Sequence, residues 1–402
     1  MKMITLIALT IWLMLGGFAD AAGIMADALY SGPEYWISRT EEAGRVLYDE
    51  AGLRMLNDGI RSRSPSITTL AAVPEEQGDV SRLVAESAQG SGKYHPAAWK
   101  KAASGIFYDE IRYGAAAERL NLRLLPVPVD PSDHYDSLQG TAVDPCEPLI
   151  IRGETQDGAW FFVTMRNYSG WVQKNGVMLL DRKQWMAYAE PKQFLTVSSA
   201  LYRYGGRQIF QLGSHIPLVK STDDGYEVHM PVRGDAGWMD SVVVIERDDS
   251  LHVGSLPCTR ENILRSAFSL LGSVYGWGGL DDSVDCSSLV ADVYRSVGVE
   301  LPRDADQQEK AFPLIRSMSG GMDMRMKQLD MLRVGDALFR EGHVMLWLGY
   351  GTDGMPYLIH ACSSYYSGRV KHYLRRVVVS PADFSTYSGS GNIMALRHAG
   401  GI

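Results

Sequence analysis

Three textures of apolar and polar positions follow one another along the chain. From 24 to 119 the apolar residues recur at roughly helical spacing, as in EYWISRTEEAGRVLYDEAGLRMLNDGIRSR and again in AAWKKAASGIFYDEIRYG. SPSITTLAAVPEEQGD interrupts the two runs and reads as a loop. A mainly helical N-terminal segment, 23–119, is predicted. From 120 to 256 short apolar strands alternate with Gly, Asp and Pro turns, the punctuation of all-β structure. A repeat is visible there: Asp157-Gly158 stands fourteen residues before Trp171, and Asp224-Gly225 stands fourteen before Trp238. Each copy reads as a turn, a strand, a loop and then Gly-Trp. Two small all-β barrels are predicted, at 120–188 and 189–256.

The last stretch, 257–402, reads as α+β. TRENILRSAFSLLGSVYG is a helix with Thr259 as its cap. CSSLVADVYRSVG is a second, with Leu289, Val290, Val293, Tyr294 and Val297 as its apolar stripe and Gly298 as its stop. DALF, HVMLWLGY, YLIHACSS and NIMALRHA are predicted strands.

Bulk properties narrow the function. The chain has 402 residues, 46% hydrophobic and 21% charged, with a net charge of −8. No basic run or stripe interrupts this acidic balance, so a nucleic-acid partner is not expected. No internal segment has the length of a membrane span. At the N-terminus, Lys2, an apolar run from Ile4 to Leu15, and Ala19-Asp20-Ala21 form the three parts of a signal peptide, predicted at 1–22. Export is expected, to the periplasm or cell envelope, with an uncleaved anchor as the alternative and no other membrane contact. The four cysteines, Cys146, Cys258, Cys286 and Cys362, lack metal-type spacing. Cys146 and Cys258 are a candidate disulfide. No Gly-rich phosphate loop is present, and no cofactor or metal is expected. A monomer is favoured.

Cys286 falls in the first turn of its helix. There outward-pointing amides and the helix dipole favour a thiolate, lower the thiol pKa and offer an oxyanion donor. A thiolate nucleophile needs a base, and the base needs an orienter. His343 and His360 lie on two strands joined by the turn GTDG. If Tyr350 faces Met355, His360 lies opposite Met345. The two histidines are then diagonal neighbours on one face, about 7–8 Å apart at the backbone and closer at the rings. The remaining histidines, at 95, 134, 215, 229, 252, 372 and 398, read as structural or exposed. Cys362 is a rival nucleophile, opposite His343 in this register but without helix amides. A Cys-His-His zinc site would use the same residue types.

These residues carry a resemblance. YGWGG, DCSSLV, YRSVGVELPRDADQQ, GDALFREGHVMLWLG and YLIHACS are similar to motifs of the NlpC-type cysteine peptidases of bacterial cell walls. Ser288 stands where that family usually has glycine. The resemblance implies a papain-like C-terminal domain with Cys286 as nucleophile, His343 as base and His360 as orienter. It implies that the Tyr275 hydroxyl completes the oxyanion hole with the Cys286 amide. ERLNLRLLPVP and YSGWV resemble bacterial SH3-like domains, which in multidomain relatives wall the cleft. The implied substrate is a peptidoglycan stem peptide, cut between γ-D-glutamate and a diamino acid such as meso-diaminopimelate, with a free N-terminal L-alanine preferred. By the same resemblance, Asp285, Ser287, Trp277 and Asp304 line the subsite for that ammonium, with Glu147 and Tyr168 closing it from the first barrel. Ala305 replaces the family's serine, which removes one hydrogen bond. An amidase or acyltransferase with the same site, and a non-catalytic wall-binding protein, are the alternatives.

Overall fold

The structure is a computed structural model that describes residues 25–402 apart from 90–94, 134, 207, 368–369 and 387–388. The predicted signal peptide, 1–22, and His134 lie outside the described residues.

Among the described residues the N-terminal segment contains four α-helices: α1 (Pro33–Ile37), α2 (Glu50–Arg63), α3 (Ser81–Gln89) and α4 (Pro96–Ala103). The first expected helical run is split, because residues 38–49 turn back and Tyr48 bridges to Cys258. Asp49 then caps α2 by accepting from Gly52 N–H at 2.8 Å. Trp36 of α1 and Leu56 and Ile60 of α2 are buried in the core of the C-terminal domain. Asn57 fastens α2 there, donating to Gly298 O and accepting from Glu300 N–H, both at 2.9 Å. The segment therefore braces the C-terminal domain, while α3 and α4 cover the first β-sheet through Val84, Ala98 and Ala102.

The second expected helical run is helix only as far as Ala103. IFYDEIRYG instead opens β1 (Ile106–Ala116). Gly105 ends the helix, and the β-branched and aromatic residues beyond it find two pairing edges in the fold, which outweigh the helical spacing. Those edges belong to β4 (Pro148–Glu154) and β7 (Val177–Leu180) of an antiparallel sheet. It also contains β2 (Leu120–Arg123), β3 (Gln139–Val143), β5 (Trp160–Met165) and β6 (Tyr168–Gln173), in the order β3-β2-β6-β5-β4-β1-β7. The sheet is followed by α5 (Arg182–Ala189), a helix absent from the sequence reading, started by an Asp181–Gln184 capping box.

The second β region orders β13 (Gly237–Ile245), β12 (Gly225–Gly234), β11 (His215–Thr222), β8 (Phe194–Val197) and β14 (Leu251–Val253) in one sheet, beside a hairpin of β9 (Leu201–Tyr204) and β10 (Gln208–Gln211). Both Asp-Gly pairs of the repeat are turns that lead into a hairpin. Trp171 is wholly buried in the middle of its strand, but Trp238 sits near a hairpin tip and is half-buried.

The C-terminal domain packs α6 (Arg260–Ser269) and α7 (Cys286–Ser296) on a six-stranded sheet. The strands are β15 (Leu314–Ser317), β16 (Ala337–Arg340), β17 (His343–Tyr350), β18 (Pro356–Ser367), β19 (Val370–Pro381) and β20 (His398–Gly401), in the order β15-β20-β16-β17-β18-β19. Thr259 caps α6 as expected. All five stripe residues of α7 are buried against Val344, Leu346 and Ile359. α8 (Ala305–Ala311) and α9 (Met322–Leu329) cover the rest. The expected strand NIMALRHA is instead a one-turn helix, α10 (Asn392–Ala395), and only its last residues enter β20. All four cysteines are free, so Cys146 and Cys258 are not joined.

Candidate active site

α7 starts with a reciprocal cap. Asp285 Oδ1 accepts from Ser288 N–H at 2.8 Å, and Ser288 Oγ accepts from Asp285 N–H at 2.9 Å. Ser288, the departure from the family glycine, thus has a use as the second half of a capping box. The cap takes the third helical amide and leaves those of Cys286 and Ser287 facing outward, where they can receive an oxyanion.

Cys286 is 8% exposed. Burial and the Asp285 charge push its thiol up to about 11, against the pull of Val344 N–H, Arg303 and Ser287 N–H. The sequence reading expected a thiol lowered by the helix start; desolvation outweighs that effect here. Burial, Arg340 and His360 likewise hold His343 well below the usual histidine range. Both partners are therefore neutral at rest. Ionisation is coupled: passing the thiol proton to His343 makes two adjacent opposite charges, which stabilise one another where neither would be stable alone.

The two histidines meet as the hairpin argument requires, by a route it did not foresee. At the turn, Tyr350 pairs with Pro356 rather than Met355. A bulge between Trp347 and Gly349 then shifts the register by one, aided by a φ of 110° at Gly349. From Trp347↔Leu358 and Leu346↔Ile359 onward the predicted register holds, which sets His360 across from Met345. His343 Nε2 lies 2.8 Å from His360 Nδ1, and His360 Nε2 lies 3.1 Å from Ser380 Oγ.

This chain fixes the tautomers. Ser380 Oγ–H donates to the Pro381 carbonyl at 3.1 Å, and a carbonyl can only accept. Ser380 Oγ therefore accepts from His360 Nε2–H. His360 is kept neutral, burial lowering its pKa to about 3, so its Nδ1 is an acceptor. His343 Nε2 must then donate, which leaves the lone pair of His343 on Nδ1, free to act as base. With both its nitrogens engaged, His360 suits an orienter and not a zinc ligand. Ser380 was not singled out from sequence; it lies on β19, two residues beyond Val378, the cross-strand partner of His360. Cys362 is buried, pushed up to about 12, and donates to Ser364 O at 3.5 Å, away from any helix start.

The Tyr275 hydroxyl is kept protonated by burial and by the neighbouring Cys286 and Asp285, so it remains a donor. The loop after it, GWGG, has φ of 62° at Gly278 and 78° at Gly279. A Cβ at Gly278 would come within 2.4 Å of Gln139 on β3, so glycine permits the docking of this loop on the first sheet. Trp277 packs on Tyr135, with ring centroids 4.5 Å apart. Tyr135, from the loop between β2 and β3, lines the cleft with Tyr275 and His343. As a loop aromatic, Tyr135 carries no periodic signal in the sequence.

The proposed ammonium subsite divides. Arg303 donates to both Asp285 oxygens, at 2.7 and 3.2 Å, to Ser287 Oγ at 2.8 Å and to Thr141 Oγ1 at 2.8 Å. Gly278 N–H and Ser288 N–H take further Asp285 positions. Asp285 and Ser287 are thus a buried clamp under the nucleophile with no open acceptor for a ligand. Glu147 is also committed, to Arg166 at 2.8 Å and Arg295 at 3.0 Å, and it lines a separate enclosed polar space of about 30 Å³. It is removed from the cleft set. Asp304 behaves differently. It occupies the N-cap position of α8 but makes no capping bond. Burial raises its carboxyl to about 6, and Tyr168, itself raised by burial and by Asp304, stands near it. A cleft of about 320 Å³ opens between Tyr135, Tyr275, His343, Arg340 and Lys371.

Comparison with known proteins agrees with this geometry. Residues 272–374 match the NlpC/P60 family, and residues 130–173 match an SH3 domain of the SH3b1 type. The chain is 26% identical over 243 residues to the gamma-D-glutamyl-L-lysine dipeptidyl-peptidase of Bacillus subtilis (strain 168), a match that covers 54% of this chain and 74% of that protein. It is 35% identical over 91 residues to dipeptidyl-peptidase 6 of Lysinibacillus sphaericus, covering 22% of this chain and 30% of that one. An NlpC/P60 endopeptidase from Photobacterium damselae subsp. piscicida shares its fold, with a TM-score of 0.69 over 89% of this chain and 93% of that chain at 13% identity. With a cysteine at a capped helix start, an oriented histidine pair and these matches, the chain carries an NlpC/P60-type domain over residues 272–374, behind an SH3b1-type SH3 domain over residues 130–173.

Proposed function

We propose that this chain is an exported cysteine endopeptidase that hydrolyses the γ-D-glutamyl–diamino acid bond of peptidoglycan stem peptides, with meso-diaminopimelate as the diamino acid and a free N-terminal L-alanine preferred. The observation that carries the reading is the Cys286–His343–His360 arrangement, with its base nitrogen set by the chain to Ser380. The activity for which the B. subtilis relative is named supports a γ-D-glutamyl substrate. Export rests on the residue pattern at 1–22; no helix among the described residues is long and apolar enough to cross a membrane. The sheet of β8 and β11–β14 is read as a second SH3-like unit.

The steps follow from the atoms. Cys286 Sγ attacks the γ-carbonyl carbon as its proton passes to His343 Nδ1. The oxyanion is held by Cys286 N–H and the Tyr275 hydroxyl. His343 returns the proton to the amine, which leaves. A water then attacks the thioester, gives its proton through His343 to the thiol, and releases the γ-glutamyl product as a carboxylic acid. Asp304, enclosed and without a cationic partner in hydrogen-bond contact, suits the substrate ammonium. The test is mass spectrometry of digests of L-Ala-γ-D-Glu-meso-diaminopimelate, free and N-acetylated, with Cys286→Ala as the blank. The free peptide should be cut and the acetylated one at least about 30-fold more slowly, since a buried charge loses its partner. Equal rates would overturn the free-amine preference, and no Cys286-dependent cleavage would overturn the peptidase reading.

A further inference from the structure

Buried guanidinium groups in this protein are generally matched. Arg123 pairs with Asp136, Arg260 with Asp336, Arg295 with Glu147 and Arg303 with Asp285. Arg325, buried without an acid, donates to three carbonyl oxygens instead. Arg340 departs from this pattern. It is half-buried, yet it forms no ion pair among the described residues, and the titratable neighbours that act on it are thiols, Cys286 and Cys362, rather than carboxylates. Among the described residues its one hydrogen bond is a long, exposed one, 3.3 Å from Nη1 to Glu341 O, and its Nε, like that of Arg260, is buried with no partner. Leaving such donors unmatched is unfavourable unless something else fills the site.

Its position says what that is. Arg340 ends β16 and is the direct cross-strand partner of His343, through the two-residue turn Glu341-Gly342. Side chains of such a pair emerge on one face, so the guanidinium is planted beside the base. It lines the 320 Å³ cleft together with His343, Ser363, Ser364 and Lys371. Lys371 adds a second cation to the cleft lining, its Nζ lying 4.9 Å from the Tyr373 ring centre. Two cations and two hydroxyls thus line the same cleft as His343.

We propose that Arg340, with Lys371 in the same cleft lining, is a carboxylate subsite that reads an acidic group of the substrate next to the scissile bond. The inference deepens the γ-glutamyl peptidase reading and rests on it. A planar guanidinium fork matches a carboxylate with two parallel hydrogen bonds, which fixes orientation as well as charge. The proposed substrate offers that group in two places: the α-carboxylate of the D-glutamyl residue, and the extra carboxylate that diaminopimelate has and lysine lacks. The subsite makes this cleft selective for an acidic peptide around the cut bond.

The experiment compares kcat/KM of the wild-type chain, Arg340→Gln and Arg340→Lys on three peptides. These are L-Ala-γ-D-Glu-meso-diaminopimelate, the same peptide with the D-glutamyl α-carboxylate as a carboxamide, and the same peptide with L-lysine in the third position. Arg340→Gln should lose at least about 30-fold on the parent peptide, the scale for a desolvated charge pair. That loss should shrink to within about 3-fold on whichever peptide lacks the group Arg340 reads, which also identifies the group. Arg340→Lys should recover part of the loss on the parent alone. An equal loss on all three peptides would overturn the inference and assign Arg340 to the thiolate or His343; so would no loss at all. Titration of Cys286→Ala protein with the same peptides keeps the test independent of how Arg340 variants fold: an affinity unchanged by removal of either carboxylate would also overturn it. Failure of the wild-type chain to cut any of the three would instead count against the peptidase reading, and is distinguishable from a chain that cuts all three alike.

Discussion

Replacing Arg303 by methionine would remove a guanidinium shared by Asp285, Ser287 and Thr141. Arg303 and Asp285 are 5% and 6% exposed, so the variant strands a carboxylate that water cannot reach. Breaking a buried pair from one side destabilises by about 3–5 kcal/mol, or roughly two to three and a half orders of magnitude in the folding constant. The loss falls on a site that ties three parts together, because Thr141 is on the first sheet and Asp285 caps the nucleophile helix. Adding Asp285→Asn to Arg303→Met removes the stranded charge, so the double variant should regain about 1–3 kcal/mol over the single one. Urea unfolding, followed at constant m, measures both. The pH dependence gives a second reading. Burial raises the Asp285 carboxyl, but the Arg303 charge and hydrogen bonds from Arg303, Ser288 and Gly278 outweigh it and hold it lowered. A lowered carboxyl contributes stability that is present above its unfolded value, about 3.9, and is lost as pH falls through the lower folded value. The wild-type chain should show that acid loss and the double variant should lack it. Single losses that simply add, or an Arg303→Met loss below about 1 kcal/mol, would refute the buried-clamp account.

Three further outcomes are expected. Tyr275→Phe should lower kcat by about 10²–10³ with little change in KM, since the lost donor serves the oxyanion; an unchanged kcat would remove Tyr275 from the mechanism. Ser380→Ala frees the His360 tautomer, so kcat should fall about 10-fold and the acid limb of the pH–rate profile should move, with Ser380→Thr restoring both; a loss of thermal stability alone would make Ser380 merely structural. KM for the free-amine peptide should rise as pH falls through about 6, where Asp304 takes up a proton, and Asp304→Asn should flatten that dependence while raising KM throughout. An unaltered profile would place the ammonium elsewhere.

The candidate catalytic residues, as a spatial group, were legible because their geometry is local. A helix start, two strands and a short turn are enough to place Cys286, His343 and His360, and the motifs around them are dense. Even so, the register came out right through two shifts that cancel, one at the turn and one at the Leu348 bulge. Groups defined by distant partners were not legible. Glu147 looked like a loop carboxylate able to meet a ligand, but its partner Arg295 is 148 residues away and uses it fully. Asp285 has the right chemistry for an ammonium and no free lone pair for one. Ser380 lies on β19, whose sequence VKHYLRRVVVSP does not alternate cleanly and was not read as a strand. Arg340 carries no signal in the sequence; only the strand pairing with His343 places it beside the site. The strand IFYDEIRYG has apolar residues at helical spacing, and only the edges of β4 and β7 decide its state.

The most direct test of the account is an acid-quenched intact-mass measurement of the wild-type and Cys286→Ala chains mixed with L-Ala-γ-D-Glu-meso-diaminopimelate. The account predicts an L-Ala-γ-D-Glu thioester adduct that maps to Cys286, release of free diaminopimelate, and neither in Cys286→Ala. Diaminopimelate released at an undiminished rate by Cys286→Ala would contradict it.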